Sequence, residues 1–236
     1  MGESSPQTSC IITIDGPAGT GKSTVARALA ERLGLDCLDT GALYRAIALL
    51  ALESGVSVED GNALASLAEE AELQIDWTAD PPSLWVGDRD VSARIRDLDV
   101  SGLVSAVASQ PAVRAVLDSA QRKIAQAHPQ LVTEGRDQGS VVFPDAQVRF
   151  FLDADESVRA QRRAHQLAQR GKPVDEEVVR SDIRQRDETD RSRAAAPLVQ
   201  PKGSIRIDST HLTIEGVVDH MVKEVRHVVP GIGADS

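Results

Sequence analysis

The chain has 236 residues, enough to bury a full core and to carry one large domain or a core with inserted subdomains. Its net charge of −10 argues against general nucleic-acid binding, because the summed field repels a polyphosphate backbone, and no apolar run has membrane length or the form of a secretory signal. Only two cysteines occur, Cys10 and Cys37, each in an apolar run that reads as a strand, so buried reduced thiols are expected rather than a disulfide framework, with the cytoplasm as the compartment.

Residues 1–9 are polar and read as a flexible tail, and Pro6 stands where a myristoylation signal needs Ser or Thr. Residues 10–15 (CIITID) are a short apolar, β-branched run, predicting a strand. A glycine-rich stretch follows, and then Val25, Leu29 and Leu33 recur at helical spacing. The stretch Gly16-Pro17-Ala18-Gly19-Thr20-Gly21-Lys22-Ser23 fits G-x-x-x-x-G-K-[ST] in the strand, loop, helix order that gives this pattern its meaning. Glycines let successive amide N–H groups turn inward, and the helix adds its positive N-terminal end, so the loop predicts a phosphate cradle. Lys22 reaches the β- and γ-phosphates of a nucleotide, and the Ser23 hydroxyl sits on the Mg²⁺ that bridges them. A glycine-rich turn without a ligand is the plainer alternative.

Leu35–Leu38 predicts a second short strand ending at Asp39-Thr40-Gly41, and Tyr44, Ile47, Leu50 and Ala51 predict a helix stopped by Gly55. Residues 59–73 have helical periodicity; 73–77 and 84–86 read as a small antiparallel insert bounded by Pro81-Pro82 and Gly87-Asp88. Helices are expected over 97–108 and 111–127, broken at Pro111. A strand at 131–134, the Gly135-Arg136-Asp137 turn and a strand at 147–152 come next. Helices over 155–169, ended by Gly171, and over about 175–190 follow, then a strand at 204–207 and a helix over 214–228. Strands alternating with helices predict an α/β fold with a mostly parallel sheet.

No guanine-reading N-K-x-D is present, and the chain is short for a motor or transporter ATPase, which leaves small-molecule phosphoryl transfer. Such chemistry needs an acceptor site and cations for the transferring group. Tyr44 and Arg45 follow the second strand, and Arg136 and Asp137 follow the strand at 131–134. Carboxyl ends of parallel strands hold the ligands of open α/β sheets, so these four residues are expected to converge. Arg suits phosphate through two parallel hydrogen bonds. For Arg45 or Arg136 alone a surface ion pair is the alternative, and for Asp137 a helix cap.

Between Arg159 and Arg193 there are nine Arg and one Lys against seven acidic residues, a net of +3 in an otherwise acidic chain. Arg186, Asp190 and Arg193 line one helical face with Arg191 close to it, while Arg159, Arg162 and Arg163 cluster on the preceding helix. With Gly171-Lys172-Pro173 between them, the two helices read as a lid that brings cations over phosphates and excludes water; a solvated charged face is the alternative.

GPAGTGKST, LDTGALYRA, VSARIR, PAVRAVL, TEGRDQGSVVFPDA, FLDA and RDETDRSRAAAPL occur in this order, from about residue 11 to 225. Together they resemble the bacterial cytidylate kinases, nucleoside monophosphate kinases for CMP and dCMP. The resemblance implies a three-layer P-loop fold. Its core would comprise residues 10–40, 107–155 and 198–229. An NMP-binding subdomain would span 41–106 with its β insert around 73–91, a lid would span 156–197, and tails would lie at 1–9 and 230–236. It implies ATP on Gly16, Pro17, Ala18, Gly19, Thr20, Gly21, Lys22, Ser23 and Thr24, with Mg²⁺ on Ser23. Arg45, Arg136 and Arg193 would surround the CMP phosphate, framed by Thr40 and Tyr44, with Arg186 and Asp190 near the sugar. Ser105, Arg114 and Asp137 would read the cytosine edge, which needs both donors and acceptors. Lys22, Arg136, Arg162, Arg163 and Arg193 would carry the catalysis, by in-line γ-phosphoryl transfer. Another small P-loop kinase, for UMP/CMP or a non-nucleotide acceptor, and a non-catalytic ATP-binding regulator are the alternatives. No heptad or long apolar edge points to obligate assembly, so a monomer is expected, with no nucleic-acid or membrane partner.

Overall fold

In a computed structural model, residues 9–169, 171 and 173–233 are described. Lys172 of the Gly171-Lys172-Pro173 connection, Arg170 and most of the expected tails lie outside those residues. The described residues form two compact units, one of those up to residue 36 and from residue 128 onward, the other of residues 37–127.

The first unit is built on parallel strands. β1 (Cys10–Asp15) is buried along its whole length, as an apolar run covered on both faces must be. It pairs in parallel with β6 (Gln130–Gly135) on one side and β7 (Val148–Asp153) on the other, and β7 pairs in parallel with β8 (Ile205–Asp208). Four strands thus lie in the order β6, β1, β7, β8. The register sets Asp15 opposite Gly135 and opposite Phe151, so the loops leaving β1, β6 and β7 start side by side at the carboxyl ends. α1 (Lys22–Leu33) buries Val25, Leu29 and Leu33 and packs on β6 and on α8 (Ile214–Val228). Between β7 and β8 the chain makes α6 (Glu156–Gln169) and α7 (Glu176–Ser192), which pack on each other around Ala160, Leu167, Val179 and Ile183 together with Ala18 of the loop.

β2 (Asp36–Asp39) leads into the second unit, where α2 (Thr40–Ser54) starts one residue beyond the strand. Asp39 caps it by accepting from the Ala42 N–H at 3.1 Å, and Gly55 ends it at φ 71°. α2 packs on α3 (Gly61–Glu70), on α4 (Leu98–Ser109) and on α5 (Pro111–Ala127). Their shared core includes Leu43, Ile47, Leu49, Leu64, Ile95, Val100 and Leu117. The helix over 111–127 therefore belongs with this unit and not with the P-loop core. Val113 and Leu117 are fully buried in the shared core, and α5 packs on α3.

The insert is an antiparallel sheet of β3 (Leu73–Asp76), β4 (Ser83–Val86) and β5 (Arg89–Asp90). Its first two strands were expected from their apolar residues. The third is two exposed charged residues that pair only because the Gly87-Asp88 turn folds them back on Val86 and Trp85. Trp77 lies beyond β3, where Asp76 turns the chain by accepting from the Thr78 N–H and hydroxyl. Both cysteines are free, Cys10 buried as expected but Cys37 only half-buried. Among the described residues no single helix is long and apolar enough to cross a membrane.

Candidate active site

The loop after β1 has the geometry that its glycines imply. Gly16 sits at φ 151°, and a Cβ there would lie 2.0 Å from the Leu152 carbonyl oxygen of β7, so only glycine lets the loop leave the sheet this closely. Lys22 is buried, and its ammonium donates to the Pro17 carbonyl at 2.8 Å, across the loop it closes. Burial and the neighbouring Arg136 charge hold the Lys22 pKa down to about 7, against the pull of the Glu134, Asp15 and Asp187 carboxylates. An ammonium so desolvated is poised to gain from any anion that enters the loop.

Ser23, the expected metal ligand, donates its hydroxyl to Glu134 Oε1 at 2.5 Å. The sequence reading missed Glu134. The available signal was an acidic residue near the end of a buried strand beside β1, the place from which P-loop enzymes add a second metal-binding oxygen. Among the described residues no group of three or more His, Cys, Asp or Glu is set to hold a metal, so an ion here would take further oxygens from phosphate and water.

Arg159 was expected among the lid cations and is instead sealed beneath the loop. Its guanidinium donates to the Ala18 carbonyl at 2.8 Å and pairs with Asp187 at 2.6 Å, while Asp187 also accepts from the Ala18 N–H at 3.0 Å. The α6–α7 pair thus holds both backbone polar groups of Ala18, the N–H of one peptide of the phosphate loop and the carbonyl of the next. Arg162 donates to the hydroxyl and carbonyl of Ser209, and Arg163 to Gln166 on its own helix. On the outer surface Glu156 joins Arg180 and Arg184, which supports α6–α7 packing and uses two of the segment's cations.

Arg136, Asp190 and Arg193 come together in this unit. Arg136 donates to Asp190 at 2.9 Å, and Arg193 lies 3.7 Å from the other oxygen of the same carboxylate. Burial works against the Arg136 charge, but Asp190 and Glu134 outweigh it and raise its pKa above the ordinary value. Asp137 is buried just after Arg136. Its side chain makes no cap bond to the π-helical turn over Gln138–Val142 that follows, so the cap reading of Asp137 fails. Arg186 pairs with Asp182 at 3.3 Å, one turn earlier on α7.

Thr40, Tyr44, Arg45, Ser105 and Arg114 fall in the second unit. The four residues expected to converge therefore divide into two pairs, Tyr44 with Arg45 and Arg136 with Asp137. The Arg114 guanidinium lies 5.4 Å from the centre of the Tyr44 ring, both residues being buried, and donates to the Ala108 carbonyl. Arg45 and Arg96 share Asp39, at 3.6 and 3.3 Å. Arg96, in the short turn Arg94–Arg96, had no assigned role in the sequence. Thr40 is buried at the start of α2, and Ser105 is half-buried on α4. Because Asp39 is both the α2 cap and the anchor of two arginines, Asp39→Ala is expected to cost about 1 kcal/mol in urea unfolding. Unchanged unfolding would remove the cap from this account.

A family model described as cytidylate kinase matches residues 12–227. The chain is 44% identical to the cytidylate kinase of Klebsiella pneumoniae (strain 342) over 216 residues, covering 92% of this chain and 95% of that one. It is 41% identical to the cytidylate kinase of Mycolicibacterium paratuberculosis (strain ATCC BAA-968 / K-10), with the same two shares. Among solved structures, a gluconokinase from Sinorhizobium meliloti 1021 shares the fold at a TM-score of 0.52 and 15% identity, covering 96% of this chain and 97% of that one.

Proposed function

The chain belongs to the cytidylate kinase family, and from that premise we propose how its own residues transfer the γ-phosphoryl group of ATP to CMP. The activity is ATP-dependent phosphorylation of CMP to CDP; dCMP is proposed as a second acceptor and the cytoplasm as the compartment. The loop of residues 16–24 takes the ATP phosphates through its backbone N–H groups, Pro17 having none, and Lys22 exchanges the Pro17 carbonyl for β- and γ-phosphate oxygens. Ser23 and Glu134, an alcohol and a carboxylate side by side, suit a hard divalent cation and would hold Mg²⁺. When bound, Mg²⁺ supplies neutralisation of charge on the phosphate oxygens.

On the acceptor side, Arg45, Arg136 and Arg193 are assigned to the CMP phosphate, framed by Thr40 and Tyr44, with Arg96 added through its shared carboxylate. Arg186 and Asp190 are assigned to the sugar, and Ser105, Arg114 and Asp137 to the cytosine edge. Arg162 and Arg163 serve the transferring group by leaving Ser209 and Gln166. An oxygen of the acceptor phosphate attacks the γ-phosphorus in line; the new O–P bond forms as the bond to the β,γ-bridging oxygen breaks, and ADP leaves. The acceptor is already an anion, so no general base is needed.

The observation that carries this reading is the gathering of Arg136 and Arg193 on Asp190, in the unit that holds the phosphate loop. Two cations on one carboxylate are a ready site for an arriving phosphate. Incubation of the purified protein with labelled ATP and CMP, dCMP, UMP, AMP or a non-nucleotide alcohol is expected to label CMP and dCMP best. A protein that labels none of them is a sensor, and the assignment then fails.

A further inference from the structure

We propose that Asp15, whose carboxylate lies between β1 and the loop after β6, is a positioning residue for the acceptor side of the reaction: it holds the Arg136-Asp137 turn against the start of the phosphate loop. The proposal rests on the reading of Arg136 and Asp137 as acceptor-binding residues. Asp15 is fully buried, and its two oxygens are used separately: Oδ1 accepts from the Gln138 N–H at 2.8 Å and Oδ2 from the Gly139 N–H at 2.7 Å. The backbone of the same residue stands in register with Gly135. Asp15 therefore meets the neighbouring strand through its main chain just before the turn and through its side chain just after it. Between Gly135 and Gln138 lie only Arg136 and Asp137, pinned on both sides by one residue that itself leads directly into Gly16.

The packing around this contact leaves no slack. A Cβ on Gly139 would fall 2.7 Å from the Thr13 hydroxyl and 3.2 Å from Asp15 Oδ2, so any side chain there pushes the turn off the carboxylate. The Thr133 hydroxyl donates to the Gln138 side-chain oxygen at 2.9 Å, securing the same point from β6. Burial pushes the Asp15 carboxyl up to about 7 even though both amides favour its ionised form; Asp137 raises it further and Lys22 lowers it. A carboxylate kept where water is excluded is costly to folding, and its return here is the geometry of the two residues it brackets. An amide cannot replace it: Asn offers one acceptor and turns its own N–H group on the second backbone donor.

The test is steady-state kinetics of the intact protein with CMP and ATP varied separately, for wild type, Asp15→Asn, Gly139→Ala, Asp137→Ala and the Asp15→Asn/Asp137→Ala pair. A misplaced turn should raise the CMP KM about tenfold in both Asp15→Asn and Gly139→Ala while the ATP KM stays within about twofold. Because Asp15 acts through the turn, Asp15→Asn should raise the CMP KM less in the Asp137→Ala background than in the wild type, the remainder coming from Arg136. Circular dichroism identifies any variant that fails to fold, and Gly139→Ala keeps the question open to test if Asp15→Asn is such a variant. Parallel rises in both KM values, a fall in kcat alone, or multiplying effects in the double variant would overturn the proposal. An unchanged CMP KM in Asp137→Ala would instead overturn the acceptor-site assignment, and this proposal with it.

Discussion

Lys22→Ala is expected to lower turnover by about 10²- to 10³-fold, the usual cost of removing one preorganised donor from developing charge, with the fold intact. The side chain is buried, its pKa is held down to about 7, and its hydrogen bond is to a carbonyl of its own loop. Removing the ammonium relieves its desolvation but also takes a cation from Glu134, Asp15 and Asp187, so the two effects on folding oppose each other. Its effect on turnover comes when phosphate oxygens arrive. Arg136→Ala should behave alike in turnover, but it takes one cation from Asp190 and so should also weaken CMP more than ATP. Turnover with CMP measured beside circular dichroism checks both; retained turnover in the two variants would sink the assignment of the site.

Asp187→Ala is expected to have the largest effect on stability, about 3–5 kcal/mol, because it leaves an uncompensated buried charge. The Arg159 and Asp187 side chains are 6% and 2% exposed and 2.6 Å apart. The same substitution also orphans the Ala18 N–H. Asp187→Asn keeps an acceptor for that amide and should lose less. Replacing both charged residues by apolar ones of similar volume should recover much of the stability, since desolvation of an ion pair offsets most of its attraction. ATP affinity should stay low in that double variant, because neither the N–H nor the carbonyl of Ala18 is held any longer. Urea unfolding and ATP titration read the two effects separately, and a loss below about 1 kcal/mol in Asp187→Ala would place the pair in a more solvated setting than its burial indicates.

The legible parts of the chain were those where one local rule decides the outcome. β1 followed from an apolar run and α1 from its 3.6-residue period. The phosphate loop followed from glycine and lysine spacing. α5 was placed correctly along the chain, from Pro111 to Ala127, but with the wrong unit. Its amphipathic pattern says that one face is buried without saying against what. β5 was invisible because Arg89 and Asp90 carry no apolar signal and pair only through a turn. Arg159 read as a lid cation, with a solvated charged face as the alternative, and Asp187 had no assigned role. In sequence, a buried ion pair and two surface charges are the same letters.

By itself the sequence determined the family, the α/β alternation, the phosphate loop with Lys22 and Ser23, and the Arg and Asp residues available for an acceptor, because each of these is encoded by residue type at short spacing. Only the tertiary structure decided which of those charges are partners. Glu134 beside Ser23, Arg136 on the carboxylate of Asp190, and the backbone of Ala18 held by Arg159 and Asp187 join residues far apart along the chain. Asp15 across from Gln138 and Gly139 is the same kind of pairing. Parallel strands place the ends of distant segments side by side, and the spacing of residues along one segment carries no record of its neighbour.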